Sequence, residues 1–125
     1  MIVLVLGGTR SGKSEVAEQL VTESANGGPV LYMATAPVRK GDHDFAARVD
    51  RHQERRPSHW DTREVDDPTA LPALLNDLDQ PVLLDSLGAW VAAHLDLNPD
   101  VDRLVAALTS RSARGAITMV VAEEV

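Results

Sequence analysis

An α/β fold, built on a mostly parallel sheet with helices on both faces, is predicted by three features of the 125-residue chain. Short apolar runs (Ile2 to Leu6, Val30 to Ala34, Pro81 to Asp85 and Ile117 to Ala122) alternate with longer segments whose apolar residues recur at helical spacing. The runs are unbroken rather than alternating, as expected of strands buried on both faces, and parallel sheets supply that environment. Composition agrees: 44% of residues are hydrophobic and only 3% aromatic, so Val, Leu and Ala must build a layered core. Without an internal repeat, low-complexity tract or linker, residues 1–125 read as one domain.

Taken in order, Ile2 to Leu6 predicts a fully buried strand running into Gly7-Gly-Thr-Arg-Ser-Gly-Lys-Ser14. From Lys13 to about Ser24, Val16, Ala17, Leu20 and Val21 share a helix face, and Asn26-Gly27-Gly28 stops that helix. After the strand Val30 to Ala34, Asp42 to Arg56 reads as a helix with Asp at its start and Pro57 beyond its end. Thr62 to Val65 reads as a short strand. Asp67-Pro68 opens the next helix, with Asp as cap and Pro at the first position, leading into Leu71, Leu74, Leu75 and Leu78. Beyond the strand ending at Asp85, helices are expected over Leu87 to Leu95 and Val101 to Leu108, separated by Asn98-Pro99, before the final strand. That strand closes the chain with no helix after it. The expectation is therefore a C-terminally truncated domain with an exposed terminal strand.

Twelve Lys and Arg against nineteen Asp and Glu give a net charge of −7, which argues against a nucleic-acid-binding surface and makes any phosphate chemistry local. The absence of cysteine excludes disulfides, thiol nucleophiles and Cys-ligated zinc. No apolar run is long enough for a signal peptide or membrane insertion, so a cytoplasmic protein is expected.

Three constellations carry chemistry. Gly7, Gly8, Thr9, Arg10, Ser11, Gly12, Lys13 and Ser14 fit the P-loop pattern between a strand and a helix. In that reading, backbone amides and the helix dipole bind phosphate, Lys13 reaches the outer phosphates and Ser14 ligates Mg²⁺. The bland alternative is a glycine-rich strand-to-helix turn. Asp85 lies at the C-terminal end of an apolar strand, where P-loop proteins place an acid that helps hold the metal; its alternative role is capping the following helix. On a helix, Arg48, His52, Arg55 and Arg56 fall on one face at i, i+4, i+7, i+8, with Arg51 nearby. Surrounding positive charge disfavours the imidazolium, leaving His52 a candidate base or nucleophile. A solvated basic face offset by Asp44, Asp50 and Glu54 is the competing account. His43, His59 and His94 share no metal-ligand spacing and read as surface or capping residues, and Trp60 and Trp90 as packing residues. Glu64 is placed to accept a hydrogen bond from a ribose or base, although nothing local demands it.

Together, Gly7 to Ser14, Leu31-Tyr-Met-Ala-Thr35, Ala46-Ala-Arg-Val-Asp-Arg-His52, Arg56-Pro-Ser-His-Trp60 and Val82-Leu-Leu-Asp85 resemble the bifunctional adenosylcobinamide kinase / adenosylcobinamide-phosphate guanylyltransferase family of cobalamin biosynthesis. The resemblance implies a P-loop nucleoside triphosphate hydrolase-like fold and two reactions. Adenosylcobinamide is phosphorylated by ATP or GTP with Mg²⁺, and GMP is then transferred from GTP through a GMP-histidine. His52 matches the family's histidine. By the same matching, Ala34, Thr35, Ala36, Gln53, Glu54, Arg55 and Arg56 line the GTP site, with Glu64 and Asp85 as acidic contacts. A homotrimer is also implied.

The chain departs from the family at its end. Ala122-Glu123 stands where the family usually has Ser or Thr and then Asn before a Glu-Val-Gly block, and family members continue for some fifty residues. Two other readings remain open. A different small-molecule P-loop kinase would use the P-loop and Asp85 but leave His52 without a covalent role. A non-catalytic remnant would keep the phosphate cradle alone.

Overall fold

Ile2–Gly7 (β1), Leu31–Ala34 (β2), Asp61–Glu64 (β3), Val82–Asp85 (β4) and Thr118–Glu123 (β5) form one sheet in the order β1-β5-β4-β2-β3. Every neighbouring pair is parallel. The computed structural model describes residues 1–7, 12–35, 57, 59–65, 67–94 and 98–123. Lys13–Ser24 (α1) follows β1. A 3₁₀ turn at Pro68–Ala70 runs into Leu71–Asn76 (α2), and Leu87–Ala93 (α3) and Val101–Ala113 (α4) separate β4 from β5. None of the helices among the described residues is long and apolar enough to cross a membrane.

The α/β expectation holds, and two cores divide the sheet's faces. On one face, Ala17 and Val21 of α1 pack with Val5, Tyr32, Leu83, Met119, Val121 and Trp60. On the other, Leu71 and Leu75 of α2, Trp90 of α3, and Leu104 and Ala107 of α4 pack over Met33, Leu84 and Val120. The helix after β1 therefore lies on the opposite face from those after β3 and β4. In such sheets ligands bind outside the carboxyl ends of the strands, where connections diverge.

Local chemistry sets the boundaries. Gly12 begins α1 at φ 78°, a left-handed conformation open to glycine at little cost, and its carbonyl accepts from Val16 N–H at 3.1 Å. Asn26 (φ 53°) and Gly27 (φ 75°) end it, as the Asn-Gly-Gly stop predicts. Asp67 caps the 3₁₀ turn through Oδ1, which accepts from Thr69 N–H at 3.0 Å. The predicted helix therefore begins as a 3₁₀ turn.

Several expectations are corrected. The first strand is not fully buried: β1 stands at the end of the sheet, and Ile2, Leu4 and Leu6, facing the α4 side, are 44%, 52% and 59% exposed. Conversely, the last strand is not the exposed one. β5 lies between β1 and β4, and Met119, Val120, Val121 and Ala122 are buried. An unbroken apolar run reports hydrophobicity but not lateral position. The short strand near residue 62 is β3, one residue earlier than expected; all four of its residues are exposed, as suits a charged edge strand. The last helix extends five residues beyond Leu108, because Arg111, on its polar-looking final turn, is buried and hydrogen-bonded. The end of the helix expected over Leu87 to Leu95, beyond His94, and the whole of that expected over Asp42 to Arg56 lie outside the described residues.

Candidate functional site

The pairing register aligns three of the residues nominated from sequence. Ala34 is the partner of Glu64 on β3 and of Asp85 on β4, and Asp85 in turn is the partner of Val121 on β5. Val121 is the partner of Val5 on β1. Residues in one row of a parallel sheet project from the same face, and Val5 and Val121 belong to the core under α1. Glu64, Ala34 and Asp85 therefore end their strands on the α1 face. Asp85 and Glu64 are two strands apart, roughly 10 Å by the usual inter-strand spacing. Gly7 closes β1 at the same end of the sheet, and Gly12 and Lys13 open α1, which packs against β1, β4 and β5. A helix N-terminus of this kind, entered from a strand through a glycine-rich segment, favours anions through its dipole and unpaired amides.

Asp85 is held firmly. Tyr32 Oη donates to Asp85 Oδ2 at 2.6 Å, and Thr35 N–H donates to the Asp85 carbonyl at 3.2 Å. One residue further on, Thr35 Oγ1 donates to the Ser86 carbonyl at 2.7 Å and accepts from Ser86 N–H at 2.9 Å. Both side chains are buried, so the exits of β2 and β4 are tied by a reciprocal pair away from water. The alternative role proposed for Asp85, capping the next helix, is taken by Ser86, whose Oγ accepts from Ala89 N–H at 3.2 Å.

Of the sequence-nominated residues, Gly7, Gly12, Lys13, Ala34, Thr35, Glu64 and Asp85 are placed at the carboxyl end of the sheet. Gly8, Thr9, Arg10, Ser11, Ala36, His52, Gln53, Glu54, Arg55 and Arg56 lie outside the described residues, as does the side chain of Ser14. Sequence reasoning missed Tyr32, a hydroxyl in the middle of an apolar strand. It also missed the Thr35–Ser86 exchange, which depends on a strand order the sequence does not reveal.

His59, His94 and the two tryptophans divide as expected, with one refinement, while His43 lies outside the described residues. His59 is exposed and both tryptophans are buried. His94 caps α3 from a buried position: its Nδ1 lies 2.8 Å from the Trp90 carbonyl, so Nδ1 carries the hydrogen, and its ring meets Trp90 edge-on. Across the sheet from Asp85, Pro68, Pro72, Trp90, His94, Asp100 and Arg103 line a concavity of about 560 Å³. Among the described residues, none of those nominated for nucleotide binding lines it.

Comparison with known proteins completes the description. The sequence profile of the family described as "Cobinamide kinase / cobinamide phosphate guanyltransferase" (CobU) matches residues 3–125. The chain is 42% identical over 104 residues to the bifunctional adenosylcobalamin biosynthesis protein CobP of Pseudomonas aeruginosa, an alignment covering 81% of this chain and 56% of the relative. It is 47% identical over 64 residues to the bifunctional adenosylcobalamin biosynthesis protein CobU of Escherichia coli, covering 51% of this chain and 33% of the relative. The chain thus spans between a third and somewhat over half the length of these relatives.

Proposed function

Because the chain belongs to the cobinamide kinase / cobinamide phosphate guanyltransferase family, we propose that it carries the nucleotide chemistry of both reactions. In the first, the hydroxyl oxygen of the aminopropanol arm of adenosylcobinamide attacks the γ-phosphorus of ATP or GTP. A P–O bond forms, the bond to the β–γ bridging oxygen breaks, and the nucleoside diphosphate and the hydroxyl proton leave. In the second, a ring nitrogen of His52 attacks the α-phosphorus of GTP and pyrophosphate departs. A phosphate oxygen of adenosylcobinamide phosphate then attacks that phosphorus, the P–N bond breaks, and adenosylcobinamide-GDP is released with His52 restored.

The observation that carries this reading is the row Glu64–Ala34–Asp85, which ends on the face where α1 begins at Lys13. In this assignment the backbone of Gly7 to Gly12 cradles phosphate and Lys13 neutralises the outer phosphates. Ala34, Thr35, Ala36, Gln53, Glu54, Arg55, Arg56 and Glu64 surround the guanosine and its phosphates. Asp85, at the end of β4, and the Ser14 hydroxyl would in this assignment be the hard oxygen donors, a donor set that suits Mg²⁺ shared with phosphate and water. When bound, Mg²⁺ supplies charge neutralisation on the non-bridging oxygens. The assembly proposed with this function is a homotrimer.

The test is intact-protein mass spectrometry after incubation with GTP and Mg²⁺, beside His52→Ala. The expected result is an acid-labile gain of one GMP that disappears in the variant. GTP binding without that gain would refute the covalent step; phosphorylation of an acceptor alone would then indicate a plain P-loop kinase, and no chemistry a nucleotide-binding remnant.

A further inference from the structure

We propose that Tyr32 is a positioning residue for Asp85: its phenol holds one carboxylate oxygen and thereby fixes the direction in which the carboxylate meets a nucleotide-bound divalent cation. The inference rests on the assignment of Asp85 to that cation.

Tyr32 is the one hydroxyl-bearing residue of β2, an interior strand between β4 and β3. Its ring is buried in the core with Ala17, Val21 and Leu83, and a buried tyrosine hydroxyl requires a partner. The register supplies it. Tyr32 pairs with Leu83, so Asp85 lies two residues further along the neighbouring strand on the same face, and the phenol reaches diagonally across to it. At 2.6 Å the phenol donates directly to the carboxylate oxygen, with no room for a bridging water.

The terminal torsion of an aspartate is broad, so a carboxylate at a strand end turns easily unless something holds it. Here the backbone of Asp85 is tied by Thr35 N–H and the residue after it by the Thr35–Ser86 exchange, while Tyr32 fixes the side chain. With Oδ2 held, the direction of Oδ1 is set. Partners of this kind, one bond behind a metal ligand, tune affinity without touching the metal.

Tyr32→Phe removes the hydroxyl and leaves the ring in the core. The experiment measures Mn²⁺ binding to the chain with GTP by electron paramagnetic resonance, and GTP binding in EDTA, for the wild type, Tyr32→Phe, Asp85→Asn and the double variant. Tyr32→Phe should weaken Mn²⁺ binding by about 10-fold, at the lower end of what such partners contribute. GTP binding in EDTA should be unchanged, and the double variant should bind Mn²⁺ no more weakly than Asp85→Asn alone. Wild-type Mn²⁺ affinity in Tyr32→Phe, with a loss in Asp85→Asn, overturns the positioning role and leaves the function above intact. An equal loss of GTP binding in EDTA also overturns it, because the hydroxyl would then act on the nucleotide or the fold. No effect of Asp85→Asn removes both the cation assignment and this inference.

Discussion

Two buried polar clusters sit at opposite ends of the sheet, and they differ in what their partners are. At the amino ends, Arg111 of α4 is fully buried; its Nε donates to Thr118 Oγ1 at 2.9 Å and its Nη2 to the carbonyls of Gln80 at 2.8 Å and Ile117 at 2.9 Å. Its Nη1 donates to the Leu78 carbonyl. At the carboxyl ends, Asp85 meets a tyrosine hydroxyl from the neighbouring strand, and Thr35 exchanges hydrogen bonds with Ser86. The first cluster is closed by backbone carbonyls from the turns before β4 and β5, which can accept a guanidinium but offer nothing to a ligand. The second is built from side chains that aim a carboxylate at the end where α1 starts. A buried polar residue therefore has different consequences according to whether its partners are turns or aimed groups. Removal should cost mainly stability in one case and mainly binding in the other.

Arg111→Met gives the largest expected effect on folding. Burial, then the nearby charge of Arg114, lower the pKa of Arg111, while Asp79 opposes them. The guanidinium still carries its charge into the interior because four acceptors meet it. Replacing it removes the guanidinium donors from the Gln80 carbonyl and Thr118 Oγ1, while the Ile117 carbonyl keeps Val82 N–H at 3.0 Å and the Leu78 carbonyl keeps Arg114 Nη2 at 3.3 Å, at a cost of about 2 to 4 kcal/mol in urea unfolding. Nucleotide affinity should be unchanged under conditions where the variant is folded. A loss below about 1 kcal/mol would show that water replaces the guanidinium, and the distinction between the two ends would weaken.

Thr35→Val tests the other end at similar side-chain volume. The Ser86 carbonyl keeps a second donor, Trp90 N–H at 3.1 Å, but Ser86 N–H loses its acceptor. One buried donor left unpaired costs about 1 to 2 kcal/mol. The same substitution frees the backbone behind Asp85, so GTP affinity with Mg²⁺ should fall by more than affinity in EDTA. Equal losses in both conditions would mean that the exchange serves stability alone, as Arg111 does.

Much of this was legible in the sequence, for reasons that differ by residue. The strand-to-helix glycine segment, the start of α1 at Lys13 and its stop at Asn26-Gly27 follow from local backbone chemistry, and local chemistry is what a sequence displays. Asp85 was legible as an acid ending an apolar run. Lateral order was not: nothing in Ile2 to Leu6 distinguishes an outer strand from a central one, so β1 and β5 exchange the places expected of them. Arg111 and Tyr32 were invisible for a related reason. Leu78 and Gln80 lie 33 and 31 residues from Arg111, and Asp85 lies 53 from Tyr32, and only the assembled sheet brings these partners together.

Asp67 sharpens the comparison with the smallest effect, because it is an aspartate at the same carboxyl end as Asp85 but its partner is two residues away. Its Oδ1 accepts from Thr69 Oγ1 at 2.7 Å and from Thr69 N–H at 3.0 Å, both in exposed positions. The hydroxyl bond, then the backbone bond and lastly the charge of His94 lower its pKa from the ordinary 3.8, against a small opposing effect of burial. A carboxyl whose folded pKa lies below its unfolded value stabilises the fold fully above the unfolded pKa, and the stabilisation disappears as pH falls through the folded one. Asp67→Asn keeps a capping oxygen but does not titrate. The difference in melting temperature between wild type and Asp67→Asn should therefore be level from pH 7 to pH 5 and narrow below about pH 4. A difference that stays level down to pH 3 would assign the cap to geometry alone. Exposed local bonds would then contribute no charge-dependent stability at this end of the sheet, leaving the tied carboxylate of Asp85 as the contrasting case.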